Sequence, residues 1–463
     1  MIHSPTLRRG ALTVAALVLT GCSFIPTYER PAPPVPVLFP GQPSNAVGVE
    51  AELPWQQFVA DARLRELITL SLANNRDLRL ATLNMEQVRA QYQIRRADQF
   101  PTLNLAASGS RQPTSSGGTS SSYSVGLALS SWEIDFFGRI ASLKEAALAQ
   151  YLASEEARRA AQTSLVASVA STWLSLQANE ELLALTRRTL KTREDSLRLT
   201  RLRFDNGATS ALDLRLAESL TAAAQVALAQ QQRLRALDRN ALTLLVGQVV
   251  PDTLLSPAPG GAEGSLFGAV PAGLPSDLLT RRADIRQAEQ QLIAANASIG
   301  AARAAFFPRI SLTAGLGSAS SELSGLLKGG SWGVSLAPQA LLPIFDAGRN
   351  QAGLASAQAG RDIALAQYEK TIQTAFREVA DALAGRATLG DQLRAQQAQA
   401  TAEAERFRLS DLRYRNGVAS FLDVLDAQRS LFAVEQSLAL NQLALQQNQV
   451  ALFKALGGGW REE

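Results

Sequence analysis

Two carboxylates, Asp423 and Asp426, stand three residues apart in the stretch RYRNGVASFLDVLD (413–426). On a helix, positions i and i+3 share a face. Such a pair could be a catalytic acid pair, a helix cap or something else. The chain carries its own control. Residues 203–216 read RFDNGATSALDLRL, which repeats the Arg, the aromatic, the Asn-Gly, the Ser and the first Asp at an offset of 210 residues. Asp423 recurs as Asp213, whereas the counterpart of Asp426 is Leu216. Ser210-x-x-Asp213 and Ser420-x-x-Asp423 both read as capping boxes just after an Asn-Gly turn, and the acid also faces the positive end of the helix dipole. Both halves keep this device, so its first role is structural. Catalysis by the pair would need further groups. The one His is His3 and the one Cys is Cys22. That excludes the usual zinc sites, Cys-His nucleophiles and disulfides, and leaves only a hydrolase working on carboxylates alone, with no nucleophile beside them. An enzyme is not expected, nor a cofactor or metal.

Cys22 has another use. Arg8 and Arg9 form a charged start, and ALTVAALVLT (11–20) is an apolar run too short to span a bilayer as a stable helix. It ends in Leu19-Thr20-Gly21-Cys22, which resembles a bacterial lipoprotein lipobox. Residues 1–21 are then a signal peptide, and Cys22 carries covalent lipid, palmitate among its acyl chains. Ser23 follows rather than Asp, which resembles an outer-membrane address.

Charged residues are 19% and hydrophobic ones 46%, which excludes a disordered polyampholyte. The formal net charge is +4, of which Arg8 and Arg9 supply two, and mixed Arg and Glu along helices mark solvated faces. Nucleic-acid binding is not expected. Residues 22–55 are a lipid-anchored, Pro-rich segment that includes IPTYERPAPPVPVLFP (25–40), extended and unable to form a helix. The body is one large unit duplicated, 56–250 and 276–456, joined by a Pro/Gly-rich linker, 251–275, and followed by a tail, 457–463. Asn75 to Leu80 matches Arg282 to Gln287, Phe100-Pro101 matches Phe307-Pro308 at an offset of 207, and Gly138-Arg139 matches Gly348-Arg349 at 210. Each half starts with a helix, expected over 56–98 and 276–305. Two strand-like pieces follow, with alternating apolar residues such as Leu103/Leu105 and Val125/Leu127/Leu129. A very long helix is expected over 140–204. In it Val169, Leu176, Leu183, Leu190, Leu197 and Phe204 recur every seven residues, the mark of a coiled-coil seam. About 60 residues would reach roughly 90 Å. Asn206-Gly207 reverses the chain into a second helix ending near Val246, and Asn416-Gly417 does the same in the second half.

Two strands per half give four per chain, and four strands cannot close a barrel. An open sheet edge in lipid would leave backbone groups unpaired. If the strands enter a membrane, chains must associate: two would give eight strands, three would give twelve, and arithmetic alone does not choose.

GLPSDLLTRRADIRQAEQQLIAANASIGAARAAFFPRISL (273–312), the two hairpin turns and the C-terminal LFKALGGGW (452–460) resemble the outer-membrane factor family of bacterial tripartite efflux systems. The TolC-like lipoproteins of the OprM/NodT type are the nearest branch, and the likeness covers the mature chain. It implies an α+β membrane protein: a homotrimer with a twelve-stranded outer-membrane β-barrel continued by a long periplasmic α-helical barrel, with an equatorial domain near its middle. It implies a passive exit duct for drugs and small molecules, served by a periplasmic adaptor and an inner-membrane transporter of RND type. Asp423 and Asp426 match the family's acidic periplasmic aperture, and Leu422 matches an apolar residue of the same gate. Trimerisation would stack the two aspartates into rings that attract cations and lose charge at acid pH. Gly207, Ser210, Asp213, Gly417 and Ser420 would form the turns on which the adaptor docks. Two departures stand out. Ala283 replaces a common Pro, and Ala419 replaces an Arg that latches the closed state, so that latch is not carried over. A type I protein-secretion duct and a poreless lipid-anchored coiled-coil scaffold remain the competing readings.

Overall fold

The computed structural model describes residues 23–40, 54–115, 117–255, 266–268 and 280–458. The signal peptide, Cys22 and most of the 251–275 linker lie outside the described residues.

The helix expected over 56–98 is three helices: α1 (Trp55–Phe58), α2 (Ala62–Asn74) and α3 (Arg76–Ala97). Short polar side chains that bond their own backbone divide it. Asp61 caps α2 by accepting from the backbone N–H of Arg63 and Leu64 at 2.8 and 3.2 Å. Asn75, in extended backbone, accepts from the N–H of Leu78 at 2.8 Å and so starts α3. Strands β1 (Leu103–Pro113) and β2 (Thr119–Ile134) follow, then α4 (Arg139–Asp205) and α5 (Ala211–Val246). After α6 (Asp252–Leu255) the second half repeats the order with α7 (Ala283–Ala304), β3 (Arg309–Ser320), β4 (Trp332–Leu341), α8 (Arg349–Arg415) and α9 (Phe421–Ala455). The duplication is metrical. Both α4 and α8 have 67 residues, about 100 Å at 1.5 Å each. No helix among the described residues is long and apolar enough to cross a membrane.

The chain divides into two compact units. The first holds the sheet, in order β1-β2-β3-β4 and antiparallel throughout. Residues directly opposite one another share a face. One face is therefore built from the rows Leu103/Leu129/Ala314/Leu336, Leu105/Leu127/Leu316/Val334 and Ala107/Val125/Ser318/Trp332. Most of these large apolar side chains are open to solvent in the single chain, Leu105 at 77% and Val334 at 79% exposed, while Val125 and Leu129 are half-buried. The other face carries Asn104/Ala128/Gly315/Ser335 and Ala106/Gly126/Gly317/Gly333, where a side chain on Gly126 would strike the backbone of Gly317. The outer edges of β1 and β4 have no partner among the described residues.

The same unit holds the first part of the Pro-rich segment, up to Pro33, which is docked rather than free. Phe24 stacks on Phe307 with ring centroids 4.7 Å apart, Asn296 donates to the carbonyl of Pro26, and Arg30 grips Glu289 with bonds of 2.6 and 2.8 Å. Ile25 crosses at Gly300, where a Cβ would collide with it. The segment runs antiparallel to α7 at the pace of polyproline II. Six residues advance about 19 Å, against about 21 Å of helix rise from Glu289 to Arg303.

The second unit has its core where α2, the middle of α4 and the ends of α5 and α9 converge. Leu64, Leu67, Ile68, Trp173, Leu176, Leu242 and Phe453 are all less than 5% exposed. Phe58 stacks on Phe453 at 4.0 Å and on Phe267 at 4.9 Å. Arg282, 6% exposed, holds both Asp284 oxygens, Glu378 and the carbonyl of Ala455. The seven-residue seam of α4 is buried at Val169, Leu176 and Leu183, half-buried at Leu190 and Leu197, and 38% exposed at Phe204. Toward its end the seam outruns the partners that one chain supplies.

Candidate functional site

Two helical hairpins of the second unit, α4/α5 and α8/α9, end in turns of the same construction. Gly207 and Gly417 adopt φ of 69° and 73°, where a Cβ is strained. Each turn closes with the paired bonds of a Schellman motif: Gly207 N–H to Phe204 O and Ala208 N–H to Arg203 O, and Gly417 N–H to Tyr414 O and Val418 N–H to Arg413 O. The Asn before each Gly donates its side-chain amide back to the carbonyl of Leu202 or Leu412, at 2.7 Å in both.

Both expected capping boxes are present. The N–H of Asp213 donates to Ser210 Oγ at 3.1 Å, and the N–H of Ser210 donates to Asp213 Oδ2 at 3.3 Å. The hydroxyls of Ser210 and Thr209 also donate to Asp213, and the first of these is the main reason its carboxyl lies below the usual range. In the second hairpin, Asp423 N–H donates to Ser420 Oγ at 3.3 Å and Ser420 N–H to Asp423 Oδ2 at 3.2 Å.

Asp426 does different work from Asp423. Arg406, on α8, donates to Oδ2 at 2.6 Å, and Arg429, one turn on along α9, donates to Oδ1 at 2.6 Å. Arg406 also reaches Glu403 at 3.1 Å and Ser430 at 3.3 Å. The bond from Arg406 is the main cause that holds the Asp426 carboxyl below the ordinary aspartate value. Within one chain the guanidiniums thus oppose the rise expected from a ring of like charges. Neither Arg429, the i+3 partner of Asp426, nor Arg406 was singled out from the sequence. Folding the hairpin about Asn416 finds it, since residues 406 and 426 lie ten positions either side. The first hairpin has a parallel device two positions along: Glu218 accepts from Arg201 and Arg215, each at 2.7 Å.

Leu422 lies in the first turn of α9, 57% exposed, with Val418 of the turn at 66%. The two hairpins touch near their ends through Arg203 and Tyr414, whose guanidinium sits over the ring at 5.1 Å and bonds the hydroxyl. Farther from the tip Arg193, 5% exposed, donates to the carbonyl of Leu220 at 2.9 Å and lies over Phe432 at 5.3 Å. Among the described residues no group of three His, Cys, Asp or Glu is placed to hold a metal ion. The lipidation candidate, Cys22, lies outside the described residues; the described chain begins one residue later, with Phe24 against Phe307 close to the start of β3.

Comparison with known proteins gives consistent results. The family model described as outer membrane efflux protein matches residues 67–248 and 274–458. The antibiotic efflux pump outer membrane protein ArpC of Pseudomonas putida is 48% identical over 465 residues, 98% of this chain and 96% of that one. Outer membrane protein OprJ of Pseudomonas aeruginosa is also 48% identical, over 100% of this chain and 98% of its own. Among solved structures, the open state of the MtrE outer membrane channel of Neisseria gonorrhoeae aligns with a TM-score of 0.85 at 41% identity, covering 95% of this chain and 98% of that one. The CusC channel aligns with a TM-score of 0.85 at 39% identity, covering 95% and 100%.

Proposed function

The chain belongs to the outer membrane efflux protein family, and from that premise we propose how it assembles, gates and docks. It is an outer-membrane efflux channel with a TolC-like fold, extending into the periplasm, and its family is one of channels rather than enzymes. It is the exit duct of a tripartite pump that passes drugs and other small molecules outward. An inner-membrane transporter of RND type drives the flow and a periplasmic adaptor joins the two. Its working form is a homotrimer, and Cys22 carries the lipid that anchors its start.

The observation that carries the assembly is the sheet. Four strands with one face rich in large apolar side chains, and two edges without a partner among the described residues, are unstable alone in lipid. All neighbours in the order β1-β2-β3-β4 are antiparallel, so β4 of one copy is antiparallel to β1 of the next and the ladder closes for any number of copies. Three copies give a twelve-stranded barrel. The same association brings Leu422, Asp423 and Asp426 of each copy to one periplasmic aperture. The turns with Gly207, Ser210 and Asp213, and with Gly417 and Ser420, then form the surface offered to the adaptor.

The direct test is current through the purified protein in a planar lipid bilayer. Small, cation-selective steps are expected. A silent bilayer holding inserted protein, and still silent after Asp423→Ala and Asp426→Ala, would leave no pore to gate.

A further inference from the structure

A cleft of about 460 Å³ lies where α2 meets α3, against α4. Its charged lining is Arg76, Arg79 and Arg158, joined by Asn74, Thr82 and Gln162, and no carboxylate lines it. Among the described residues none of the three guanidiniums has a hydrogen bond or ion pair, and Nε of Arg158 is buried without a partner. Guanidiniums do not escape such crowding by losing a proton. Three of them around one space favour a ligand that brings negative charge and several acceptor oxygens.

The duplication supplies the control. Arg79 matches Arg286 and Thr82 matches Glu289 at the 207-residue offset, and Arg158 matches Tyr368 at 210. In the second half the matching place is occupied. Tyr28 donates to Glu289 at 3.1 Å, Arg30 holds both its oxygens, Tyr368 is buried beside the same carboxylate, and Arg286 pairs with Glu156 at 3.1 Å. There the groove takes a cationic side chain from an extended piece of chain. In the first half the acid is a threonine and the tyrosine an arginine, so the same groove has the opposite sign.

We infer that this cleft is an oxyanion site, taking a phosphate or carboxylate group between Arg76, Arg79 and Arg158. Two sources carry that chemistry. One is a free oxyanion in the surrounding solution. The other is the chain itself: Glu462 and Glu463 follow four and five residues after Gly458, and a Cβ on Gly458 would meet Thr163, the neighbour of Gln162.

The test uses the full chain in detergent at low ionic strength, with inorganic phosphate as the probe in a calorimetric titration. Phosphate should bind, and the pair Arg79→Gln and Arg158→Gln should weaken it about tenfold or more. Thr82→Glu, which places in this cleft the carboxylate found at Glu289, should do the same with every arginine kept. Helical content and oligomer size, read on the same samples, separate loss of the site from loss of the fold. The variant Glu462→Gln with Glu463→Gln distinguishes the sources. Tighter phosphate binding assigns the site to the chain's own carboxylates; unchanged affinity assigns it to a free oxyanion. No phosphate binding by either the natural chain or that variant overturns the site, as does binding that survives both cleft variants.

Discussion

Asp423 and Asp426 differ in what already holds them, and this fixes what each variant should do. The carboxylate of Asp423 serves its own helix start, whereas that of Asp426 ties α9 to α8 through Arg406. Replacing both with Ala should lower cation preference and weaken block by multivalent cations, because the proposed aperture would lose two rings of negative charge. Bilayer recordings in salt gradients check it, and unchanged selectivity would remove the pair from the aperture. Asp426 also makes a pH prediction with a definite sign. Its carboxyl is held below the ordinary value, so the tie to Arg406 is complete above the unfolded value of about 3.9 and is lost as pH falls through the lower folded value. Between neutrality and about pH 5 this pair should therefore not respond. Below about pH 4 the hairpin should loosen, and Asp426→Asn should loosen it at every pH. Amide exchange across α9 at several pH values measures this. The capping half of the site was legible in the sequence because a cap is a local pattern. Arg406 was missed because its partnership depends on the register of two helices across a turn.

At the scale of elements, two glycines with nearly the same backbone have different duties. Gly417 has φ of 73° and open space around the position of a Cβ. Gly247 has φ of 77° and its Cβ would drive into the carbonyl of Asn74. Gly417→Ala should thus cost only the left-handed backbone strain, about 1–2 kcal/mol, while Gly247→Ala adds a backbone clash and should cost clearly more. Thermal unfolding followed by helical signal orders the two. A bulky residue at Gly417 projects from the tip without burying anything. It should abolish drug resistance in cells while trimers and membrane insertion persist; loss of the trimers would make that turn structural instead. The sequence also foretold the long helices, their reversals and the duplication, since seven-residue spacing and Asn-Gly pairs are dense local signals. It missed the breaks at Asp61 and Asn75, which lie inside an otherwise continuous helical pattern. It read residues 25–40 only as an extended segment, because proline reveals an extended chain but not the Glu289 that receives Arg30.

For the whole molecule, the sheet decides which surface meets lipid. Its rows put Leu105, Leu127, Leu316 and Val334 on one face and Asn104, Ala128, Gly315 and Ser335 on the other. Val334 and Ser335 are neighbours on the edge strand β4, with the same backbone setting and opposite faces. A charge in the hydrocarbon of a barrel costs about 2–4 kcal/mol near the midplane, and a lumen charge changes mainly selectivity. Val334→Arg should therefore reduce insertion and the yield of assembled trimer in the outer membrane. Ser335→Arg should leave assembly intact and shift the current away from cations. Fractionated membranes and bilayer recordings on the same two variants read both effects. If Ser335→Arg were the one that blocked insertion, the apolar rows would face inward and the barrel would have to be turned inside out. If both inserted equally, neither face would meet lipid, and the unpartnered edges of β1 and β4 would need an explanation other than closure within a membrane.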